Sequence, residues 1–181
     1  MISSKNSAVH LFFAMLSALF PLSASQNCNE GTRLVCYGQS GGTSQDVDVE
    51  EVAYVAEQLR AMSEDGPAFW TMPANPTLDE CDEWTLYEPF GTVWVLAKHT
   101  SNRVNSSVSY DEMANTIDGG VDATEEQRKN SILGCGTGGG QLVVQINASN
   151  PVYKTEAYKT TTGVPRDILI KVVSSKLQGK F

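Results

Sequence analysis

Apolar residues recur at steps of three and four positions between Asp48 and Met62, and this is the clearest pattern in the chain. Such spacing puts the apolar side chains in one stripe along a helix. Asp48 can accept hydrogen bonds from the free N–H groups of the first turn, and Glu51 follows three residues later, as in a capping box. The dipeptide Gly66-Pro67 ends the segment. The pattern predicts an amphipathic helix here that packs on a core.

Shorter apolar or alternating segments predict the strands of a sheet. Residues 83–88 alternate, residues 92–98 are strongly hydrophobic, and the segment Glu88–Gly91 has Pro at the second turn position and Gly at the fourth. That order favours a type I turn, so the two flanking segments predict a hairpin. Further strands are predicted at residues 32–37, 68–72, 141–146 and 167–173.

Two more helices are predicted from the polar residues at their starts. Ser109 with Glu112, and Thr124 with Gln127, have the spacing of a capping box. Paired glycines end the first of these helices, and the second is expected to continue through Leu133. The stretch after residue 149 is rich in Tyr, Thr and Lys and is expected to form a loop until residue 166.

Neither an internal repeat nor a linker divides the chain, which indicates a single α+β domain. We expect an antiparallel sheet with two or three helices packed on one face, an α/β sandwich. Because large aromatic rings are usually buried, the core is expected to contain Trp70, Trp84 and Trp94. A flexible tail is expected from about residue 174.

Residues 1–25 have the three parts of a secretory signal peptide. Lys5 gives a charged start, the segment Val9–Leu22 is apolar, and small residues at 23–25 offer a cleavage site. The apolar run is too short to span a bilayer, since spanning takes roughly 20 residues. No later stretch is long and apolar enough to be a membrane anchor. We therefore expect export, with residues 26–181 forming a secreted, extracellular domain.

The negative charge of the chain indicates which classes of partner it does not bind by electrostatic attraction. Its 181 residues carry a formal net charge of −8, and the pI is about 4.7. Electrostatic binding to nucleic acid or anionic lipid needs clustered cations, so this charge argues against both partners. A hydrophobic content of 41% is enough to form a core, unlike that of a disordered acidic chain.

Four cysteines are present, at Cys28, Cys36, Cys81 and Cys135. In an oxidising compartment an even number predicts two disulfides, and three connectivities are open. A zinc site is disfavoured because no two of these cysteines have the Cys-x-x-Cys spacing.

Two Asn-x-Ser sequons accompany the export signal. They make Asn105 and Asn147 the predicted glycosylation sites. Asn105 lies in the more polar stretch and is favoured of the two.

The sequence offers little catalytic chemistry. His99 is the one histidine after residue 25, and a Ser or Cys nucleophile needs a base that a third group orients. Asp79, Glu80, Asp82 and Glu83 resemble a glycosidase carboxylate pair in type only, since such clusters usually form solvated loops. The glycine run at 136–140 precedes a strand, whereas a phosphate-binding loop precedes a helix. We expect no catalytic residue, metal or cofactor, and we interpret the glycines as a turn that lets Cys135 bridge to a strand.

Three segments carry a family resemblance. They are Leu34-Val35-Cys36-Tyr37-Gly38 ahead of a capped helix, Val93–Lys98 followed by Asp111–Ile117, and Leu133-Gly134-Cys135-Gly136 continuing through Gly140 to Val144. In order and spacing the chain resembles the small secreted fungal proteins related to smut-virus killer toxins and to necrosis-inducing extracellular effectors. Those families form an α/β sandwich in which disulfides join a strand to a helix end. The resemblance implies that Cys36 pairs with Cys135, which leaves Cys28 with Cys81.

The resemblance also implies a function. It points to a secreted, non-enzymatic fungal effector or toxin-like protein with a role in virulence, whose partner is a host protein or cell-surface component. Channel blocking is not carried over, because this chain is acidic and has no identified counterpart of the lysine on which that activity depends. Two alternatives stay open. One is a ribonuclease-like hydrolase, suggested by Glu83-Trp84, and the other is a wall carbohydrate-binding module that stacks exposed Trp or Tyr on sugars.

Overall fold

The computed structural model of the protein describes residues 30–39, 42–75 and 82–178. The predicted signal peptide at residues 1–25 lies outside these ranges, and so do Cys28, Cys81, Asp79 and Glu80. Predictions that concern those residues are therefore not addressed by the fold.

The described chain contains seven strands and four α-helices. The strands are β1 (Val35–Cys36), β2 (Phe69–Met72), β3 (Glu83–Phe90), β4 (Val93–His99), β5 (Ser106–Ser109), β6 (Gly140–Val143) and β7 (Ile168–Ser174). The helices are α1 (Val49–Asp65), α2 (Tyr110–Asp118), α3 (Glu125–Lys129) and α4 (Glu156–Lys159), with 3₁₀ segments at Ile132–Gly138, Pro151–Lys154 and Ser175–Leu177.

Five of the strands form one antiparallel sheet in the order β1-β6-β7-β4-β3. Strands β4 and β7 pair along their full length, from Val93 opposite Ser174 to His99 opposite Ile168. Strands β2 and β5 form a separate antiparallel pair. The predicted α+β class with an antiparallel sheet is confirmed.

Helices α1 and α2 cover one face of the five-stranded sheet. Alternate residues of β4 and β7 point to this face and join the buried stripe of each helix in one core. From α1 the buried residues are Val52, Val55, Ala56 and Leu59, and from α2 they include Met113, Ala114 and Ile117. The predicted helix between Asp48 and Met62 is therefore confirmed, three residues longer at its C-terminal end.

The hairpin of β3 and β4 is confirmed, but its turn lies later than predicted. Strand β3 continues through Pro89 to Phe90, and the chain reverses at Gly91 and Thr92, where Gly91 has a φ of 53°. Within the described sheet β3 is an edge strand, where a proline is tolerated because it removes no central hydrogen bond. The residues that predicted a type I turn therefore form the irregular end of a strand.

Two of the three predicted capping boxes are incomplete. Asp48 caps α1 through the N–H groups of Glu50 and Glu51, but the Glu51 carboxylate binds Thr92 instead of the cap backbone. Ser109 makes no side-chain cap on α2. In both cases a distant part of the chain takes the acidic side chain.

The box of Thr124 with Gln127 is complete, yet α3 ends at Lys129 and not at Leu133. Helix α3 has no buried residue, whereas Ile132 just after it is fully buried in the core. The chain therefore leaves helical geometry at Asn130 and continues as a 3₁₀ segment that buries Ile132.

Two further differences concern polar stretches. Strand β5 was not predicted, because Ser106–Ser109 has a single apolar residue and its serines are buried against β2. The expected loop before Arg166 contains a 3₁₀ segment and the short helix α4. The first strand is limited to Val35 and Cys36, the two residues that pair with β6.

Cys36 of β1 and Cys135 of the 3₁₀ segment form a disulfide with a Cα–Cα distance of 5.1 Å. The glycines around it allow backbones to approach closely, as expected for a turn that serves this bridge. A Cβ on Gly138 would lie 3.0 Å from the backbone nitrogen of Gly38. A Cβ on Gly140 would lie 2.6 Å from the Val35 carbonyl oxygen and 2.9 Å from Cys135 Sγ.

We predict that Gly140→Ala lowers the free energy of unfolding by about 1–3 kcal/mol, because the added methyl group overpacks the contact between β1 and β6. Urea unfolding monitored by tryptophan fluorescence measures the loss. Gly31→Ala is the matched control, since a Cβ there has no heavy atom within 4 Å. Equal stability of the two variants would contradict the close-packing role of Gly140.

Candidate functional site

His99, the residue with the most catalytic potential, is only 3% exposed at the end of β4. It lies on the helix-covered face, opposite Ile168. Burial lowers the pKa of His99, although the Asp167 charge and a hydrogen bond with the Met72 backbone oppose the shift. Its Nε2 atom has no hydrogen-bond partner within the described residues. Because a general base needs a positioned partner and the described residues give Nε2 none, we interpret His99 as a packed residue.

Glu112 is a buried carboxylate with a structural role. Its Oε1 accepts hydrogen bonds from the Asn147 backbone N–H at 3.0 Å and from Asn150 Nδ2 at 3.2 Å, and its Oε2 accepts one from the Tyr153 hydroxyl. Burial and this carboxylate raise the pKa of Tyr153. Glu112 therefore fastens the chain after β6 to the start of α2, a contact that the capping-box prediction missed.

A group of alternating charges lies on the sheet face away from the helices. Lys98 is fully buried and its Nζ lies 2.8 Å from Glu30 Oε1. Lys171 Nζ lies 2.9 Å from the same oxygen and 2.5 Å from Glu83 Oε1. Burial alone raises the pKa of Glu30, but the hydrogen bonds from the two lysines outweigh it and lower the value. The formal charges of the two lysines and two glutamates cancel, so we interpret the group as structural.

An open polar groove of about 820 Å³ lies between β6, the end of α2 and α3. Several of its polar side chains are bonded to neighbouring protein groups. Thr116 donates to the Glu112 carbonyl, Asn115 accepts from Arg60, and Gln145 donates to the Val143 carbonyl. The groove presents no buried charge and no aromatic side chain to a ligand.

A strip of aromatic side chains is the most distinctive exposed feature. It consists of Tyr54 on α1, Trp70 on β2, and Trp84, Tyr87 and Phe90 on β3. Trp70 and Trp84 pack edge to face with centroids 6.3 Å apart, and Tyr54 stacks on Phe90 at 4.5 Å. Burial and the proximity of Tyr54 raise the pKa of Tyr87.

The predicted burial of all three tryptophans is wrong for Trp84. Its exposed fraction is 43%, whereas Trp70 is partly buried on the main core and Trp94 is buried with Leu96 on the opposite sheet face. Tyr54 and Phe90 are 38% and 40% exposed. The aromatic strip is therefore anchored on the core at Trp70 and Tyr87 and open to solvent at Tyr54, Trp84 and Phe90.

Two β-bulges put the β3 rings on one face. Trp84, Tyr87 and Phe90 are opposite Ala97, Val95 and Val93 of β4. Each advance of three residues along β3 therefore matches an advance of only two residues along β4. In a regular strand, positions 84 and 87 would point to opposite faces. Because bulges re-aim side chains, the strip is a product of this irregular pairing.

A set of hydrogen bonds fixes α1 over the end of the hairpin. The Thr92 N–H and hydroxyl donate to Glu51 Oε2 at 2.8 and 2.6 Å, and the Asp48 N–H donates to Thr92 Oγ1 at 2.7 Å. These contacts hold Tyr54 above Phe90. They also explain why Glu51 does not complete a capping box.

The two sequons have different surroundings. Asn105 Oδ1 accepts from the Ala74 N–H, and its Nδ2, the atom that a glycan would modify, donates to Thr162 Oγ1 at 3.0 Å. Asn147 is exposed, and its Oδ1 accepts from the Ser149 N–H. Glycosylation of both residues stays a prediction, and this geometry favours Asn147.

Comparison of the chain with protein-family models, with curated proteins and with solved structures finds no match. Across the described ranges, no cluster of three or more His, Cys, Asp or Glu side chains is arranged to hold a metal ion. The described helices include none with the length and apolar character of a membrane span.

We predict that His99 makes the protein less stable in mild acid. Because the unfolded state, with an ordinary pKa of about 6.5, binds a proton before the folded state does, stability falls as the pH drops from 6.5 toward the lowered folded value. The slope contributed by one such group is at most about 1.4 kcal/mol per pH unit. Urea unfolding between pH 7 and pH 5 measures it. His99→Gln is expected to flatten this part of the curve, and parallel curves for both proteins would contradict the assignment.

Proposed function

We propose that the protein is a secreted, non-enzymatic effector or toxin-like protein that acts by binding a component of another organism. The observation that carries the proposal is the contrast between its reactive side chains and its exposed rings. His99, Glu112 and Glu83 are held inside the fold or in ion pairs. The aromatic strip, in contrast, is open to solvent.

The architecture supports the family resemblance on which this proposal draws. An antiparallel sheet covered by two helices corresponds to an α/β sandwich. The Cys36–Cys135 disulfide joins strand β1 to the 3₁₀ segment Ile132–Gly138, and it is the pairing that the resemblance implied. A disulfide also fits an oxidising, extracellular compartment.

We further propose the second disulfide, between Cys28 and Cys81. Its support comes from two described residues, Glu30 and Glu83, whose carboxylates both bind Lys171 Nζ. Each of these glutamates follows one of the two cysteines by two positions. The shared lysine therefore brings together the two chain segments that carry the remaining thiols.

Peptide mapping of the unreduced protein tests this pairing. We predict one cross-linked fragment containing Cys36 with Cys135 and a second containing Cys28 with Cys81. The same digest after reduction is the control, because both fragments should then separate. A fragment that links Cys28 to Cys36 would contradict the proposed connectivity.

Exposed Trp84 and Phe90 also favour a second candidate function, that of a wall carbohydrate-binding module. The rings of such modules stack on sugars. Trp84 and Trp70, however, are almost perpendicular, with an interplanar angle of 87°, so they do not form a flat platform together. Protein binding therefore remains the first proposal.

The absence of catalysis is tested with RNA, a soluble glycan and an ester as substrates. We expect no multiple-turnover hydrolysis by the purified, oxidised protein, because His99 is buried without a catalytic partner. His99→Gln is the matched variant, since it keeps a polar side chain of similar size. Turnover that the wild-type protein has and His99→Gln loses would overturn the proposal.

A further inference from the structure

We propose that the aromatic strip is the docking surface for a basic protein segment, whose arginine or lysine side chains pack on the exposed rings. This inference rests on the proposed function, since it names the chemistry of the partner that a binding protein would contact. The occupant is identified by three features of the strip: exposed rings, surrounding negative charge and a fixed arrangement.

Three rings of the strip are exposed to solvent. Tyr54, Trp84 and Phe90 each leave more than a third of their area in solvent, although they lie next to the core residues Trp70 and Tyr87. Trp and Tyr dominate the binding energy of protein interfaces, because they bury a large area and lose little conformational entropy. A contiguous group of exposed rings therefore marks a binding surface.

The acidic residues near the strip favour a positively charged partner. Helix α1 has five acidic residues against one basic residue, Arg60, and β3 adds Glu88, since its other acid, Glu83, is paired with Lys171. Arg60 is bound by Asp118 at 2.7 Å and also by Asn115, so its charge is compensated. Glu50 lies one helical turn before Tyr54, and Glu88 lies between Tyr87 and Phe90. A cation over these rings gains attraction from both the π-face and the carboxylates.

The strip is held in place before any partner binds. The bonds of Glu51 and Asp48 with Thr92 fix α1 against the hairpin, and the bulges fix the directions of the β3 rings. Little ordering entropy is then lost on association, which favours binding by preformed rings. In contrast, the polar groove uses several of its side chains in internal bonds, and the charge group around Lys171 is neutral overall.

The test measures binding of a fluorescein-labelled nona-arginine peptide to the full, oxidised protein by anisotropy at about 150 mM salt, where weak surface electrostatics are screened. We expect Trp84→Ala and Phe90→Ala each to weaken binding about tenfold, as for hot-spot rings, without any change in net charge. Circular dichroism and thermal unfolding verify that both variants fold. Unchanged affinity in folded Trp84→Ala would overturn the proposal.

Matched charge variants separate the strip from the general acidity of the chain. Glu50→Gln with Glu88→Gln removes two charges at the strip, and Glu125→Gln with Glu126→Gln removes two from the exposed helix α3. We expect the first pair to weaken peptide binding several-fold more than the second. Equal losses of affinity would show that peptide binding depends on the net charge of the protein alone, and would overturn the proposal.

A control variant and a saccharide ligand complete the test of the proposal. Val121→Ala removes an apolar side chain outside the strip that is 71% exposed, and it is expected to leave peptide affinity unchanged. If chitin or glucan oligomers bind in a Trp84-dependent manner and the arginine peptide does not, the occupant is a saccharide and the proposal is wrong. Hydrolytic turnover would refute the proposed function separately, because the peptide measurements do not depend on it.

Discussion

Strand β4 is buried at all seven positions, and the arrangement of the other elements depends on how its two faces are covered. The residues on its helix side, such as Val93 and Val95, are buried against the apolar stripes of α1 and α2. Its other face carries Trp94, Leu96 and Lys98, of which Lys98 is buried beside Glu30. Burying an ammonium group is costly unless it is paired, so the segment before β1 must reach across the sheet.

Local sequence signals were sufficient for elements whose residues interact mainly with a core. The period of α1, the alternation of β3 and the hydrophobic run of β4 each predicted an element that the structure contains. The pairing of Cys36 with Cys135 followed from the family resemblance. The cysteine count alone left three connectivities open. The glycines that permit this bridge precede the strand β6, as the order of the flanking segments predicted.

The aromatic strip could not be predicted in the same way. Alternation along β3 places Trp84 and Tyr87 on opposite faces, and only the observed bulges bring them to one face. Likewise, Glu51 and Glu112 have capping-box spacing, but Thr92 and Tyr153 compete for their carboxylates from far along the chain. Strand β5 was missed because buried serines carry no apolar signal. The two incomplete capping boxes therefore arise from long-range contacts that outweigh a local preference.

We propose a fixed scaffold that presents exposed rings, while its reactive groups are buried or ion-paired. Nitrogen–proton NMR spectra recorded during titration with the arginine peptide test it most directly, because they report the contact position residue by residue. The account predicts shifts at the Trp84 indole N–H and at the amides of Tyr54 and Phe90, with the Trp94 indole unchanged. Shifts confined to the polar groove, at Asn115 and Asn130, with none at Trp84, would contradict it.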